Sequence, residues 1–322
     1  MTARLYEKKE TYTIDYPQAI ELAIQQNEVF WLPDEIDVEK DLHEIKTEFT
    51  KAEVHAVTTT LKLFTLYEMS AGEEYWGGRI ANTFQRPDIQ RMANAFSFFE
   101  LNVHAPFYNK LNEVLGLATD EFYNSYLENS TLKERMKFIK EAIRGKDDLK
   151  SLAVFSIVEG AVLYSSFAFL KHFQAEGKNK LINVCSGINF SVRDENIHSL
   201  GGAWLFRTLQ DELQVSDKEK KKFGEDLYGY ARDILLHEKE IIAMLFEEGR
   251  IEGITELQLS NFVESRIDIC LEQLGYDKIF KPAYNPIKDW FYTNINAGQF
   301  HDFFTKVGSE YHRAWEEEKF EW

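Results

Sequence analysis

The sequence is poor in cysteine, proline and glycine, and these shortages exclude several kinds of protein. Its 322 residues include only two cysteines, Cys185 and Cys270, so neither a disulfide framework nor a CxxC zinc site is expected. Six prolines and 17 glycines leave little material for irregular loops. Long stretches of alternating apolar and polar residues, repeats and low-complexity segments are also absent. We therefore predict a single all-α domain.

Positive charge is also in short supply. The chain has 37 lysines and arginines against 54 aspartates and glutamates, which gives a formal net charge of −17 at pH 7. Because binding to a nucleic-acid backbone requires a basic surface, no nucleic-acid partner is expected. A Gly-rich phosphate loop, a GxSxG elbow and the apolar core of a signal peptide are missing as well. The composition indicates a cytoplasmic protein.

One apolar run, residues 152–170, has about the length of a membrane span. However, Glu159 lies in the middle of the run, three serines interrupt it, and no aromatic belt or basic cluster flanks it. With 44% hydrophobic residues, the chain has enough apolar material for a large core around such a segment. We therefore predict a helix buried on all sides in a bundle, and no membrane contact.

Glu159 requires a compensating group, because a lone carboxylate in an apolar helix is costly to bury. Downstream, Glu195 and His198 are three residues apart, so a carboxylate and an imidazole share one helix face. A metal ion bound by these side chains would provide the compensation.

Helical periodicity accounts for most of the remaining chain. One helical pattern covers residues 50–75, carries Glu68 beside its apolar stripe, and is expected to end at Gly77-Gly78. A short helix at 17–26 is predicted within an N-terminal arm of residues 1–29. Further helices are predicted over residues 120–144, 199–213, 217–248 and 255–274.

The helix that begins at Pro87 carries a second carboxylate–imidazole pair. Glu100 and His104 are four residues apart and therefore share one face. Pro106, two residues later, removes the backbone hydrogen bond to the Asn102 carbonyl. We predict a kink or a single-turn π-bulge at this point.

Four successive core helices thus carry potential metal ligands. Each ligand alone is weak evidence, since a Glu-x-x-His occurs by chance and a single buried histidine is usually a structural residue. The joint inventory matches the carboxylate bundles that bind two iron or two manganese ions. The predicted ligands are Glu68, Glu100, His104, Glu159, Glu195 and His198.

These and neighbouring motifs resemble the small, radical-generating (R2) subunit of class I ribonucleotide reductase. The resemblance extends over nearly the whole chain. The matching stretches are Phe30-Trp-Leu-Pro-Asp-Glu-Ile-Asp-Val38, Glu68 with Gly72, His104-Ala-Pro-Phe-Tyr108, Glu159-Gly-Ala-Val-Leu-Tyr-Ser-Ser-Phe167 and Arg193-Asp-Glu-Asn-Ile-His198.

The resemblance implies a ferritin-like helical bundle (residues 1–307) that forms a homodimer. The six predicted ligands would hold two irons, and Tyr108 would store a radical. Trp31 and Asp194 match the pair that links the metal site to the surface, with Asp194 hydrogen-bonded to His198.

The resemblance also implies a separate large subunit, which reduces ribonucleoside diphosphates. Tyr311 would relay the radical to that subunit. The acidic and aromatic residues 308–322 would form a flexible tail that docks on it.

The sequence departs from the family pattern at two ligands. The first pair is Glu-x-x-x-His rather than Glu-x-x-His, and a bulge near Pro106 would absorb the extra residue. Glu68 stands where many members have an aspartate. Iron is the expected metal, and manganese suits the same ligands.

Three alternatives remain open from the sequence. A related di-metal oxidase would use the same ligands on a small apolar substrate and would need neither the Trp31–Asp194 pair nor the tail. An iron-storage or ferroxidase bundle would not need Tyr108. A scaffold bundle would only pair its buried acids and would bind no metal.

Overall fold

The computed structural model describes residues 3–292, and over that range it contains helices and connecting turns without any strand. Tyr311 and the predicted tail of residues 308–322 therefore lie outside the described residues.

The helices follow one another with short connections. The α-helices are α1 (Pro17–Glu28), α2 (Leu42–Thr47), α3 (Lys51–Met69), α4 (Ala81–Thr83), α5 (Pro87–Phe99), α6 (Ala105–Leu115), α7 (Asp120–Asn124), α8 (Ser130–Arg144), α9 (Asp148–Ile157), α10 (Tyr164–Lys171), α11 (Ile182–Glu212), α12 (Asp217–Leu245) and α13 (Glu256–Gln273). Segments Ser70–Ile80, Glu100–His104 and Val158–Val162 are π-helical. Single 3-10 turns occupy Arg4–Tyr6, Pro33–Glu35, Val38–Asp41, Ser125–Glu128 and His172–Gly177.

Local sequence defines where the longer helices begin. Thr50 and Glu53 form a reciprocal capping box at the start of α3, and Ser216 and Glu219 form another at the start of α12. Each box satisfies backbone N–H groups that have no partner within the helix, which stabilises the helix by about 1 kcal/mol.

The apolar run of the sequence forms the centre of the bundle. Asp148–Ala175 is long and apolar enough to cross a membrane, and its most apolar stretch of 18 residues is completely buried within the protein. The segment packs against α11 and α13. The prediction of a helix buried on all sides is therefore confirmed.

The prediction that Gly77-Gly78 ends a helix was wrong. The chain continues from α3 through the π-helix Ser70–Ile80 into α4. A Cβ at Gly77 would lie 2.7 Å from Ser97 Oγ on α5, and Ser97 Oγ donates to the Gly72 carbonyl at 2.8 Å. Gly77 therefore allows the π-helix to pack closely against α5, a tertiary role that sequence cannot distinguish from helix termination.

The single helix predicted over residues 120–144 is interrupted. Asn129 has an extended backbone, and its side chain accepts a hydrogen bond from the Leu132 N–H at 3.0 Å, which starts α8. This is the N-cap role for which asparagine is favoured.

The close packing of α11 against α6 at Gly187 predicts a stability effect. A Cβ at Gly187 on α11 would overlap the ring of Phe107 on α6. Because a packed core resists added volume, we expect Gly187→Ala to lower the free energy of unfolding by about 1–3 kcal/mol. Chemical denaturation measures this change.

Gly229 is the matched control, because an added Cβ on this residue of α12 meets no atom within 4 Å. Gly229→Ala should raise the free energy of unfolding by about 0.5–1 kcal/mol through helix propensity. If the two substitutions changed the free energy of unfolding equally, the result would contradict the close packing at Gly187.

Candidate metal centre

The six predicted ligands come together in one buried cluster. Each is at most 3% exposed. The α3 helix carries Glu68 near its end, two π-helices carry the next three residues, and α11 carries the last two. In chain order these side chains are Glu68, Glu100, His104, Glu159, Glu195 and His198.

The cluster divides into two overlapping groups, in each of which one ligand atom per residue lies within 4.8 Å of the others. The first group is Glu68, Glu100, His104 and Glu195, and the second is Glu100, Glu159, Glu195 and His198. Glu100 and Glu195 belong to both groups, which is the arrangement expected of carboxylates shared between two ions.

Both imidazoles present Nδ1 to the carboxylates. His104 Nδ1 lies 3.2 Å from both Glu100 Oε2 and Glu195 Oε1. His198 Nδ1 lies 2.6 Å from Glu100 Oε1 and 3.6 Å from Glu195 Oε2. Each histidine therefore offers a nitrogen to a different side of the shared carboxylates.

Several of these buried atoms have no hydrogen-bond partner. Glu100 Oε1 and His198 Nδ1 are close, but neither atom forms a hydrogen bond within residues 3–292, and the two oxygens of Glu195, although near the histidines, form none there either. Unsatisfied buried polar atoms are costly, so such a concentration needs an explanation. Carboxylate oxygens and imidazole nitrogens that converge without pairing fit divalent cations between them.

The electrostatics lead to the same conclusion. Burial, together with the charge of Glu100, raises the pKa of Glu68 well above its usual range, and burial with the charge of Glu195 does the same for Glu159. Burial is the largest single influence on His198 and opposes its charging, but the charges and close contacts of Glu100 and Glu195 together outweigh burial and raise the pKa to about 9. Glu68 and Glu159 therefore stay protonated in this dry interior unless cations compensate their negative charge.

The π-helix Glu100–His104 explains the unusual spacing of the first pair. A π-helix has a wider turn than an α-helix, which brings residues four apart close to one side. Both side chains point into the cluster, so the extra residue does not remove Glu100 from it. The predicted bulge is confirmed, and it lies immediately before α6.

Asp194 contacts a different histidine from the one predicted. Its Oδ2 accepts a hydrogen bond from Trp31 Nε1 at 2.8 Å and lies 3.1 Å from His104 Nε2. The prediction that Asp194 bonds His198 was therefore wrong, because His198 turns its Nδ1 toward Glu100. Sequence spacing along α11 does not reveal which neighbouring helix faces Asp194.

Trp31 connects this carboxylate to the outside of the protein. Its side chain is 2% exposed, but the flanking Phe30 and Leu32 are 48% and 46% exposed. The Trp31 ring lies 6.1 Å from the His104 ring, between centroids. A continuous set of contacts thus runs from His104 through Asp194 to a residue directly beneath the surface.

Tyr108 lies one turn after His104 and is completely buried. Its ring packs edge-on against Phe64, with 4.6 Å between centroids, and its hydroxyl has no hydrogen-bond partner. Burial, with the nearby charge of Glu68, raises the phenol pKa well above its usual range. Tyr108 is therefore a neutral phenol in a dry pocket beside the cluster.

Trp76 was not predicted from the sequence as part of the site. Its Nε1 donates a hydrogen bond to Glu159 Oε1 at 2.7 Å, and its side chain is completely buried. The only available signal was general: a buried indole N–H needs an acceptor. This bond orients Glu159 and leaves its other oxygen for the cluster.

Comparisons with known proteins agree with this geometry. The ribonucleoside-diphosphate reductase subunit beta of Mycobacterium leprae is 25% identical, over 88% of this chain and 85% of its own length. The corresponding subunit of Mycoplasmoides gallisepticum is 27% identical, over 92% of this chain and 86% of its own length. The small chain of this reductase from Nicotiana tabacum is 26% identical, over 94% of this chain and 88% of its own length.

Two solved structures support the fold. A putative class I ribonucleotide reductase from Bacillus halodurans superposes with a TM-score of 0.77 at 20% identity and covers 86% of this chain and 99% of its own. The dimanganese(II)-NrdF of Streptococcus sanguinis has a TM-score of 0.77 at 22% identity, and covers 88% of this chain and 98% of its own. The predicted all-α, ferritin-like bundle is confirmed.

The family described as "Ribonucleotide reductase, small chain" matches residues 8–286, which is most of the sequence. The chain belongs to the ribonucleotide reductase small-chain family.

Proposed function

We propose that this protein is the radical-generating small subunit of a ribonucleoside-diphosphate reductase. A separate large subunit would reduce ribonucleotides to deoxyribonucleotides. The observation that carries the proposal is the pair of ligand groups that share Glu100 and Glu195. Together with membership of the family, this geometry favours a dinuclear metal cofactor beside a buried tyrosine.

Each metal ion would have its own terminal ligands. Glu68 and His104 would hold one ion, Glu159 and His198 would hold the other, and Glu100 and Glu195 would lie between them. When bound, two iron ions would supply oxidising equivalents obtained from O₂. Manganese suits the same oxygen and nitrogen donors.

The protein supplies the oxidisable group and its protection. Tyr108 would lose an electron and its phenolic proton to become a tyrosyl radical. Phe64 and Phe107 pack against its ring, with centroids 4.6 and 5.1 Å away, and exclude solvent. This apolar enclosure would keep water and small reductants from quenching the radical.

Asp194 has two tasks in this proposal. It would accept a hydrogen bond from the Nε2–H group of His104, and this tautomer would leave Nδ1 without a proton and directed at the cluster. The same oxygen of Asp194 also accepts a hydrogen bond from the indole N–H of Trp31. An electron that moves between Trp31 and the cluster therefore passes along a connected set of hydrogen bonds.

The remaining roles belong to the end of the chain. Tyr311 would relay the radical to the large subunit, and residues 308–322 would dock there. We place this homodimeric subunit in the cytoplasm.

A related di-metal oxidase is the alternative to the reductase. Such an oxidase would not need the Trp31–Asp194 hydrogen bond of 2.8 Å, and the relatives bear the names of reductase subunits, so the reductase is favoured.

The shared position of Glu100 predicts the metal stoichiometry. We expect the natural sequence to bind two Mn²⁺ or Fe²⁺ ions per chain, Glu68→Ala to bind one, and Glu100→Ala to bind none. Anaerobic dialysis followed by elemental analysis measures the bound metal. Glu74→Ala is the control, since Glu74 pairs with Arg144 away from the cluster and its loss should leave both ions bound. Two ions retained by Glu100→Ala would refute its shared role.

The proposed radical predicts an electron paramagnetic resonance signal. After addition of Fe²⁺ and O₂, the natural sequence should give a tyrosyl signal, and Tyr108→Phe should give none at equal metal content. Tyr164→Phe removes another buried tyrosine, whose hydroxyl bonds the Val192 carbonyl, and should retain the signal. A tyrosyl signal that survives in Tyr108→Phe would assign the radical to another residue.

The proposed docking tail predicts that its deletion impairs the interaction with the large subunit but not the metal content or the Tyr108 radical. Deletion of all residues after Val307 should abolish reductase activity with the large subunit and weaken binding to it. Metal content and the Tyr108 radical should not change, because none of the cluster residues lies in the tail. Full reductase activity of the shortened chain would contradict the roles of Tyr311 and the tail.

A further inference from the structure

A buried arginine outside the metal cluster has no carboxylate partner in the described part of the chain. Arg266 on α13 is 3% exposed, and none of the ion pairs found over residues 3–292 includes it. A guanidinium remains charged at every physiological pH. A buried charge without a counter-ion is costly, so the cation of Arg266 requires an explanation.

Neutral groups satisfy only part of this guanidinium. Its Nε donates to the Gly160 carbonyl at 2.9 Å, and Nη1 donates to the Tyr292 hydroxyl at 3.0 Å. Its central carbon lies 3.9 Å from the centre of the Tyr164 ring. Nη2 is buried and has no hydrogen-bond partner among residues 3–292. Tertiary contacts therefore fix the guanidinium but leave one donor group free.

Arg266 lines a cavity of about 410 Å³ between α1, α11 and α13. Arg193 also lines it, and this residue donates to the Val29 carbonyl at 2.7 Å. The side chains of Gln25 and Asn196 add hydrogen-bonding groups, and one acid, the exposed Glu28, lies on the lining. Two arginines with fixed positions thus line the cavity, and the charge of Arg193 is paired with Asp194, whose Oδ1 lies 3.8 Å from Arg193 Nε.

The remaining walls of this cavity are mainly apolar. They are formed by Val29, Tyr164, Val192, Ile197 and Leu200. A cavity with apolar walls and a few fixed polar groups is typical of a small-ligand site. A guanidinium with a free N–H group selects a carboxylate, to which it forms charge-assisted hydrogen bonds.

We propose that this cavity is a carboxylate-binding site, in which Arg266 binds the carboxylate of a ligand with an apolar body. The ligand could be a solute or an acidic residue of this chain beyond Tyr292, since that residue is on the cavity wall. Six acids follow it in the sequence: Asp302, Glu310, Glu316, Glu317, Glu318 and Glu321. The proposal depends on Arg266 and the cavity, and it stands independently of the metal ions.

Benzoate binding to the full-length, metal-loaded protein tests this site by calorimetry. We expect saturable binding that weakens roughly 10- to 100-fold in Arg266→Gln, which is the size of a lost charge-assisted hydrogen bond. Arg266→Lys should bind with intermediate affinity, because it retains the charge but loses the planar fork. Equal affinity of the natural protein and a folded Arg266→Gln would overturn the proposal, since any benzoate would then bind elsewhere.

A second variant leaves Arg266 in place. Leu200 is 39% exposed on the cavity wall, so Leu200→Trp should be tolerated by the fold and should block the cavity. It should abolish the Arg266-dependent binding, and its metal content should equal that of the natural sequence. Unchanged benzoate binding in this variant would overturn the placement of the ligand, even if Arg266→Gln failed to fold.

A third variant distinguishes the two sources of the carboxylate. Replacing all six acids after Tyr292 by their amides should strengthen benzoate binding several-fold if the chain's own acid competes for the cavity. Equal binding before and after this change would assign the site to a solute. The proposal fails if neither the natural chain nor this variant binds benzoate saturably.

Discussion

The structure depends on the compensation of buried negative charge. Four glutamates and two histidines converge in an interior where no member is more than 3% exposed. Carboxylates in such surroundings must be protonated or neutralised by cations. The aromatic packing around the cluster makes this requirement stronger, because it excludes the water that would otherwise screen the charges. The cluster is therefore costly as a set of free acids, and cations held between its side chains would remove that cost.

Helix geometry adapts to this cluster. Three π-helical segments lie in or next to the helices that carry the first four ligands, and the segment Glu100–His104 begins and ends with two of them. A π-turn is less favourable than an α-turn and persists where tertiary contacts require it. Here the π-turn spans the segment from Glu100 to His104, and both side chains point into the cluster. The departure from the family spacing is thus absorbed within a single turn.

One carboxylate oxygen connects the cluster to the surface. Asp194 Oδ2 contacts both His104 and Trp31, so any change in the charge of one is felt by the other. On the opposite half of the cluster, Trp76 holds Glu159 through a hydrogen bond of 2.7 Å. The two indoles therefore restrain different halves of the cluster, and the Trp31 side lies next to the exposed Phe30 and Leu32.

The sequence by itself determined the all-α class, the buried central helix and the identity of the six residues that the structure brings together in the cluster. Periodicity records which helix face is apolar, and a carboxylate on such a face requires a partner. Only the tertiary structure decided that Asp194 faces His104, that Trp76 bonds Glu159, and that Gly77 lies within a continuous helix. These features depend on which helices are neighbours and how closely they approach. Spacing along one chain segment does not contain that information, because it fixes directions around a helix axis and not distances between axes.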